Sequence, residues 1–295
     1  MIEHCIPPAL FPVSIRPPLS IQIETARQIL VDAIRQFNPK AVIGLYSGGN
    51  DSTVAMHLTR DLLTHAAHIV TGIGIPSTTE FVHEQCRVLL DVPLIELVTP
   101  PEVYEKLLFQ IRSGHIQGFP GPSAHNVAYY YLKQKRLREL RGMFIKDNRK
   151  DRVIFVSGIR SHESARRARR ARRALSCPIR REGSIVWVQP ILNFDSQTML
   201  DYRRAFDIPQ CEASALLHRS GECLCGAFAR SGELEEIELW FPEMGAYIRT
   251  LEDRLKAADA KNCKWGGSGT GHKRGKDPGP LCSDCIQYEL EFSRA

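Results

Sequence analysis

No run of apolar residues in this chain approaches the roughly 18 needed to cross a bilayer. Its first residues are broken by Pro7, Pro8, Pro12, Pro17 and Pro18, where a secretory leader would carry an uninterrupted apolar stretch. These two absences predict a cytoplasmic protein. Cysteine is scarce through most of the sequence: three of the nine precede residue 200 and six follow residue 210. An odd total in a reducing compartment argues against a disulfide framework, so the late cluster points to metal binding or thiol chemistry. Cys5, Cys86 and Cys177 read as small buried hydrophobes. There is no internal repeat. Disorder is excluded as well, because 295 residues that are 43% hydrophobic and 24% charged can bury a full core.

Short apolar runs alternate with helical patterns between residues 41 and 206, which predicts an α/β fold with a mainly parallel, doubly wound sheet. The expected strands are Ala41–Tyr46, Ala67–Ile73, Pro93–Val98, Val153–Ser157 and Ile185–Val188. Helices are expected over Thr79–Leu90 and Ser123–Arg141. Residues 1–40 read as an extension with a helix. Residues 207–295 read as a small Cys-rich C-terminal module containing two helical stretches, Gly232–Trp240 and Met244–Lys261, and a glycine-rich basic loop over Trp265–Pro280.

The strand at Ala41–Tyr46 runs straight into Ser47-Gly48-Gly49-Asn50-Asp51-Ser52, and a helical pattern follows. Two glycines let backbone N–H groups approach an anion, and Ser47 and Ser52 add hydroxyls at the positive end of the helix. Asp51 would cap the helix or orient magnesium. An ordinary strand-to-helix turn would explain the glycines and a serine cap, but it does not require the whole six-residue string.

That string resembles the phosphate loop of the PP-loop adenylyl pyrophosphatase and phosphoadenylylsulfate (PAPS) reductase superfamily, whose domain is HUP-like. Two further segments are similar to the family's other motifs, in order. They are Thr71-Gly72-Ile73-Gly74-Ile75-Pro76-Ser77-Thr78 and Ser157-Gly158-Ile159-Arg160-Ser161-His162-Glu163-Ser164. The resemblance implies ATP or a PAPS-like adenine nucleotide bound with Mg2+. Its binding residues would be Ser47, Gly48, Gly49, Asn50, Asp51, Ser52, Thr71, Gly72, Gly158 and Arg160, with catalytic roles for Asp51, Ser52 and Arg160. A guanidinium just beyond a strand's carboxyl end can fork onto phosphate oxygens; the alternative for Arg160 is an ion pair with Glu163. Two positions depart from the family pattern. Asn50 stands where many members have a lysine, and Val70 where an aspartate often precedes the Thr-Gly pair.

Arg166, Arg167, Arg169, Arg170, Arg172 and Arg173 place six positive charges within eight residues, with no acidic residue among them. Such charges repel at helical spacing, and a polyanion partner explains the run better than a solvated face does. Nucleic acid is the expected partner through Arg166–Arg173.

Cys211, Cys223, Cys225, Cys263, Cys282 and Cys285 form the second constellation. Thiolates from separate loops could hold zinc or an iron–sulfur cluster, and spacing alone does not separate them. Ser220–Phe228 resembles the cluster-bearing branch of PAPS-reductase-like proteins, which includes the sulfur-transfer subunit of DNA phosphorothioation. That resemblance implies a 4Fe-4S cluster on Cys263, Cys282 and Cys285 with one of Cys223 and Cys225, Cys211 being in reserve. The expected function is ATP-dependent, adenylylating sulfur transfer, with nucleic acid as acceptor and a sulfur donor protein as a further partner; an oligomer is compatible with the sequence. Two alternatives stand beside it: PAPS or adenylylsulfate reduction, although the chain lacks the reductases' C-terminal Glu-Cys-Gly motif, and a non-catalytic nucleotide-sensing nucleic-acid-binding protein.

Overall fold

The structure, a computed structural model, describes residues 16–161 and 177–267. Glu163, the arginine run, Cys5, Cys282 and Cys285 lie outside the described residues. The central sheet has six strands, β1 (Ala41–Leu45), β2 (His65–Val70), β3 (Leu94–Val98), β6 (Val153–Val156), β7 (Ile179–Glu182) and β8 (Ile185–Val188), in the order β3-β2-β1-β6-β8-β7. Five of these strands run parallel. β7 alone is antiparallel and closes one edge, with Arg180 opposite Trp187. A separate hairpin joins β4 (Ile111–Arg112) to β5 (His115–Ile116).

β1 is apolar on both faces and lies at the centre, as a parallel strand covered by helices requires. Its residues alternate between two cores. Val42 faces α1 (Leu19–Phe37), α2 (Asn50–Thr59) and α7 (Ser196–Ala205), whose Leu30, Ala55 and Met199 are buried beside it. Ile43 faces the other way, toward Leu137 and Leu140 of α6 (Lys135–Phe144). α1 belongs to this core through Ala26, Leu30 and Ala33. α7 starts where Asp195 accepts a hydrogen bond from the Thr198 N–H at 2.7 Å, a side-chain N-cap.

A third core joins the α/β unit to the cysteine-rich region. Ile73, Ile75, Leu108 of α4 (Pro101–Leu108) and Ala128 of α5 (His125–Tyr129) pack with Leu224, Ile248 and Trp265. The last two helices, α9 (Glu233–Trp240) and α10 (Pro242–Ala257), complete it, after the short α8 (Glu212–Leu216).

The five expected strands are present, with β2 shifted: it begins at His65 and ends at Val70, so Thr71–Ile73 leaves the sheet. The expected helix over Thr79–Leu90 starts earlier, as α3 (Pro76–Gln85), because Pro76 suits a first helical position, and it ends in a π turn over Cys86–Leu90. The long helix near Ser123–Arg141 carries a second π turn, Tyr130–Gln134, between α5 and α6. No helix among the described residues is long and apolar enough to cross a membrane. Cys86 is buried as expected, whereas Cys177 is only half-buried and is disulfide-bonded, a departure from its reading as a buried hydrophobe.

Two glycines give opposite expectations for the stability of this fold. A Cβ on Gly44 of β1 would strike the Met56 sulfur and lie 2.9 Å from Leu63 Cδ1, while one on Gly142 of α6 would meet nothing within 4 Å. Gly142→Ala is expected to raise the urea-unfolding free energy by about 0.5–1 kcal/mol through helix propensity. Gly44→Ala is expected to lower it by about 1–3 kcal/mol through overpacking.

Candidate functional site

The sheet order reverses between β1 and β6, and the segments leaving their carboxyl ends face each other across that switch point. One is the Ser47–Ser52 loop. Gly48 takes φ +74°, a conformation that costs a side chain strain, and Gly49 then precedes α2 as its cap residue. No side chain caps this helix: Asp51 lies inside its first turn, so the capping role expected for it is not realised. The hydroxyls close the loop instead. Ser47 Oγ and Ser52 Oγ are 3.1 Å apart, and Ser52 Oγ donates to the Gly49 carbonyl at 2.8 Å. The first N–H groups of α2 have no carbonyl partner within the helix and lie at its positive end.

The other segment is Ser157–Arg160. A Cβ on Gly158 would stand 2.7 Å from the backbone of both Asp51 and Ser52, so glycine is needed here for close packing of two chain segments. Arg160 is 1% exposed, and its Nε lies 3.0 Å from Asp51 Oδ2. Its NH1 donates to the Phe194 carbonyl at 3.4 Å. The structure thus buries Arg160 against the loop, where it braces Asp51.

The third motif performs a different task. Thr71 is fully buried and donates its hydroxyl to the Glu222 carbonyl at 2.6 Å, and Gly72 takes φ +72° against the Thr99 carbonyl. Ile75 N–H donates to Gly221 O at 2.8 Å and Leu224 N–H to Ile73 O at 2.6 Å. A Cβ on Gly74 would lie 2.5 Å from the Glu222 carbonyl oxygen. Thr71–Ile75 therefore docks the turn Ser220–Leu224 by backbone pairing. From that position Ser220 Oγ donates to the Ser47 carbonyl at 3.0 Å, which joins the cysteine turn to the phosphate loop.

The docked turn presents Cys223 and Cys225. Tyr104 OH donates to Cys225 O at 3.0 Å, and Trp265 Nε1 donates to Leu224 O at 2.7 Å, bringing the Cys263 segment over the same core. Arg219, ion-paired with the fully buried Glu233, donates to Cys223 O at 3.1 Å. The Cys225 thiol donates to Cys223, which holds Cys223 well below the ordinary thiol range. Lys133 nearby adds to that effect, while burial and the Glu222 carboxylate oppose it. Cys225, keeping the proton, is pushed up. Cys211 is buried beside Thr78, its sulfur 3.8 Å from the Thr78 hydroxyl. Among the described residues no three metal-ligating side chains form one group.

Lys133 and Glu222 were not legible as site residues in the sequence. They are ion-paired, and with Ser47, Ala67, Ile69 and Tyr129 they line a pocket of about 160 Å³ beside the phosphate loop. Burial would lower the Lys133 ammonium, but the Glu222 and Cys223 charges outweigh it and raise it. The pocket therefore runs from the Ser47 end of the loop to the cysteine turn. Three buried oxygens on the motif segments lack a hydrogen-bond partner among the described residues: Asn50 Oδ1, Ser77 Oγ and Ser157 Oγ. Buried polar atoms are rarely left so, and these three sit on the segments that meet at the loop.

A chemical probe tests the thiol pair. Alkylation of Cys223 by iodoacetamide, followed by peptide mass spectrometry, should switch on at a pH below that of an ordinary thiol, about 8.5. Lys133→Met removes a cation that favours the thiolate, so the midpoint should move upward.

Several solved structures are similar in fold. A phosphoadenylyl-sulfate (PAPS) reductase from Candida auris, in a phosphate complex, is 14% identical with a TM-score of 0.45, over 69% of this chain and 94% of that one. The NMN synthetase from Francisella tularensis is 14% identical with a TM-score of 0.45, over 77% and 94% of the two chains. The NH3-dependent NAD synthetase from Campylobacter jejuni, in complex with nitrate, is 12% identical with a TM-score of 0.46, over 82% and 97%. No curated protein matches the chain. The phosphoadenosine phosphosulfate reductase domain model matches residues 41–227, which takes in all three motif segments and the Cys223–Cys225 turn, and the chain belongs to that family.

Proposed function

We propose that the protein is an ATP-dependent, adenylylating sulfur-transfer enzyme acting on nucleic acid. The observation that carries this reading is the continuity of the site: the phosphate loop, the pocket and the cysteine turn are joined through Ser47, Lys133 and Glu222. The base of ATP would occupy the pocket against Ala67, Ile69 and Tyr129. Its phosphates would meet the amides of Gly48–Ser52 and the Ser47 and Ser52 hydroxyls. Arg160 fixes Asp51 beneath this cradle.

Asn50 Oδ1 is a buried oxygen without a partner among the described residues, the kind of atom that suits Mg2+ or its bound water. The metal, when bound, would neutralise departing pyrophosphate. Around it the chain's own groups align the nucleotide. An acceptor oxygen attacks the α-phosphorus, pyrophosphate leaves, and a sulfide sulfur then displaces AMP, which departs with the oxygen; a persulfide in its place would leave an acceptor–donor disulfide for an external dithiol to cleave.

Cys263, Cys282 and Cys285 with one of Cys223 and Cys225 would hold the 4Fe-4S cluster. The pairing of Cys223 with Cys225 and the packing of the Cys263 segment over their turn fit that group. When bound, such a cluster supplies electron transfer and a place to hold sulfide.

The same thiol pair favours a second reading, reduction of an activated sulfate. The Cys223 thiolate would attack the sulfonate sulfur and expel the nucleotide phosphate. Cys225 would then attack Cys223, releasing sulfite and leaving a disulfide for an external dithiol to reduce.

Two measurements test these readings. Purified protein should release pyrophosphate from Mg-ATP, faster with nucleic acid present, and Ser52→Ala should weaken ATP binding by about 1.5–3 kcal/mol through loss of a contact to charge. Asp51→Asn should in addition destabilise the fold by about 3–5 kcal/mol, since it leaves the buried Arg160 without this carboxylate. Sulfite formed from PAPS and dithiothreitol, without pyrophosphate release from ATP, would select the second reading, and neither product would leave a nucleotide sensor.

Protein made without oxygen should be brown and contain about four irons per chain. Cys282→Ser or Cys285→Ser should bleach it while ATP binding persists. A colourless anaerobic preparation holding one zinc per chain would overturn the cluster assignment.

A further inference from the structure

We propose that the outward face of α6, with the tyrosines before it and the basic turn after it, is a nucleic-acid-binding surface that leads a single strand to the pocket. The inference rests on the nucleic-acid acceptor proposed above and deepens it by naming where the strand lies. It does not use the arginine run.

Residues 129–152 contain nine lysines and arginines against three acidic residues, an excess as large as the formal net charge of the whole chain, +6. The three carboxylates are engaged. Glu139 pairs with Arg136 at 2.9 Å, Asp147 accepts from the Arg149 N–H, and Asp151 accepts from the Lys146 and Asp147 N–H groups while lying 3.7 Å from Lys40 Nζ. Among the described residues, Lys135, Arg138, Lys146, Arg149 and Lys150 form no ion pair, and all five are exposed. Lys135 and Arg138 stand three residues apart on one helix, where like charges repel. A solvated face is ordinarily relieved by carboxylates at that spacing; this one is relieved by aromatic rings. Lys135 Nζ lies 4.4 Å from the Tyr131 ring centre, and Arg138 Cζ lies 5.2 Å from that of Tyr130.

Cations uncompensated by carboxylates and seated over aromatic rings match a strand that offers phosphates and base faces together. Phosphates would draw Lys135 and Arg138 outward, and the rings they cover would then be open to bases. The surface also leads to the chemistry. Tyr129, 39% exposed, continues the row and lines the pocket with Lys133 and Ser47. Rings can stack only on bases that are free of a duplex, so a strand with unstacked bases is the form that fits, and it would run to the rim of the pocket that the base of ATP fills.

The test uses the full chain and fluorescence anisotropy with a labelled single-stranded DNA of about 20 nucleotides, longer than the roughly 4–16 nucleotides that one OB fold covers, titrated at increasing KCl. The combined variant Lys135→Gln, Arg138→Gln, Lys150→Gln should reduce the log–log salt slope by about 2, near 0.7 per lost phosphate contact on a single strand. Tyr130→Ala with Tyr131→Ala should weaken binding about tenfold or more with the slope nearly unchanged. ATP binding by calorimetry and the circular dichroism spectrum should match wild type in both, which guards against misfolding. If wild type binds DNA and both variants keep its affinity and slope, this surface is wrong while the acceptor reading stands. Tighter binding of duplex than of single strand, indifferent to the tyrosines, would overturn the single-strand assignment. Failure of wild type to bind either form at low salt would overturn both the surface and the acceptor.

Discussion

The backbone pairing of Thr71–Ile75 with Ser220–Leu224 is the constraint on which the site depends. Two segments about 150 residues apart in the chain exchange Ile75 N–H to Gly221 O and Leu224 N–H to Ile73 O, and the Thr71 hydroxyl secures Glu222 O. Gly74 and Gly221 permit the approach, since a Cβ on Gly74 would run into the Glu222 carbonyl and one on Gly221 into the Thr78 hydroxyl and Ala213. Each such bond adds only about 0.5–1.5 kcal/mol net, but they lie in buried or part-buried surroundings where an unmade bond costs more than a made one gains. The turn is thereby fixed against the sheet, and Ser220 passes that rigidity to Ser47. Phosphate loop and thiol pair behave as one body because of it.

Charge is distributed around this body in pairs that are largely withdrawn from water. Arg160 with Asp51 lies under the loop, Arg219 with Glu233 behind the Cys223 carbonyl, and Lys133 with Glu222 at the pocket wall. Buried pairs contribute little net stability against apolar replacements, but removing one partner is costly, so they enforce position more than they strengthen the fold. Lys133–Glu222 borders the pocket beside the phosphate loop.

The parallel sheet was legible because buried central strands read as unbroken apolar runs, as in Ala41–Leu45 and Val153–Val156. β7 was not, since Ile179-Arg180-Arg181-Glu182 is a polar edge strand held by pairing with β8. The phosphate loop was legible as a local string. Its support was not: Arg160 was readable as a cation at a strand end, but its burial under Asp51 depends on tertiary packing. Lys133 lies in no motif and Glu222, although inside the Ser220–Phe228 string, carries no local sign of a cation partner; only the fold brings the lysine beside the cysteine turn. Gly158 was legible as part of a motif string, but that its missing side chain makes room for the backbone of Asp51 and Ser52 emerges only in the fold.

The π turn over Tyr130–Gln134 bears on how this architecture can vary. Such a turn amounts to one extra residue in an α-helix, which rotates everything beyond it by about 100° relative to a regular helix. Here it lets Lys133 turn in to Glu222 while Lys135 and Arg138, only a few positions later, remain on the outer face. A single-codon deletion within the turn would restore a regular helix and change the azimuth of one set relative to the other. In descendants of this chain, the inner cation and the outer row are thus inherited together or lost together, through the length of one helical turn as much as through the identity of any side chain.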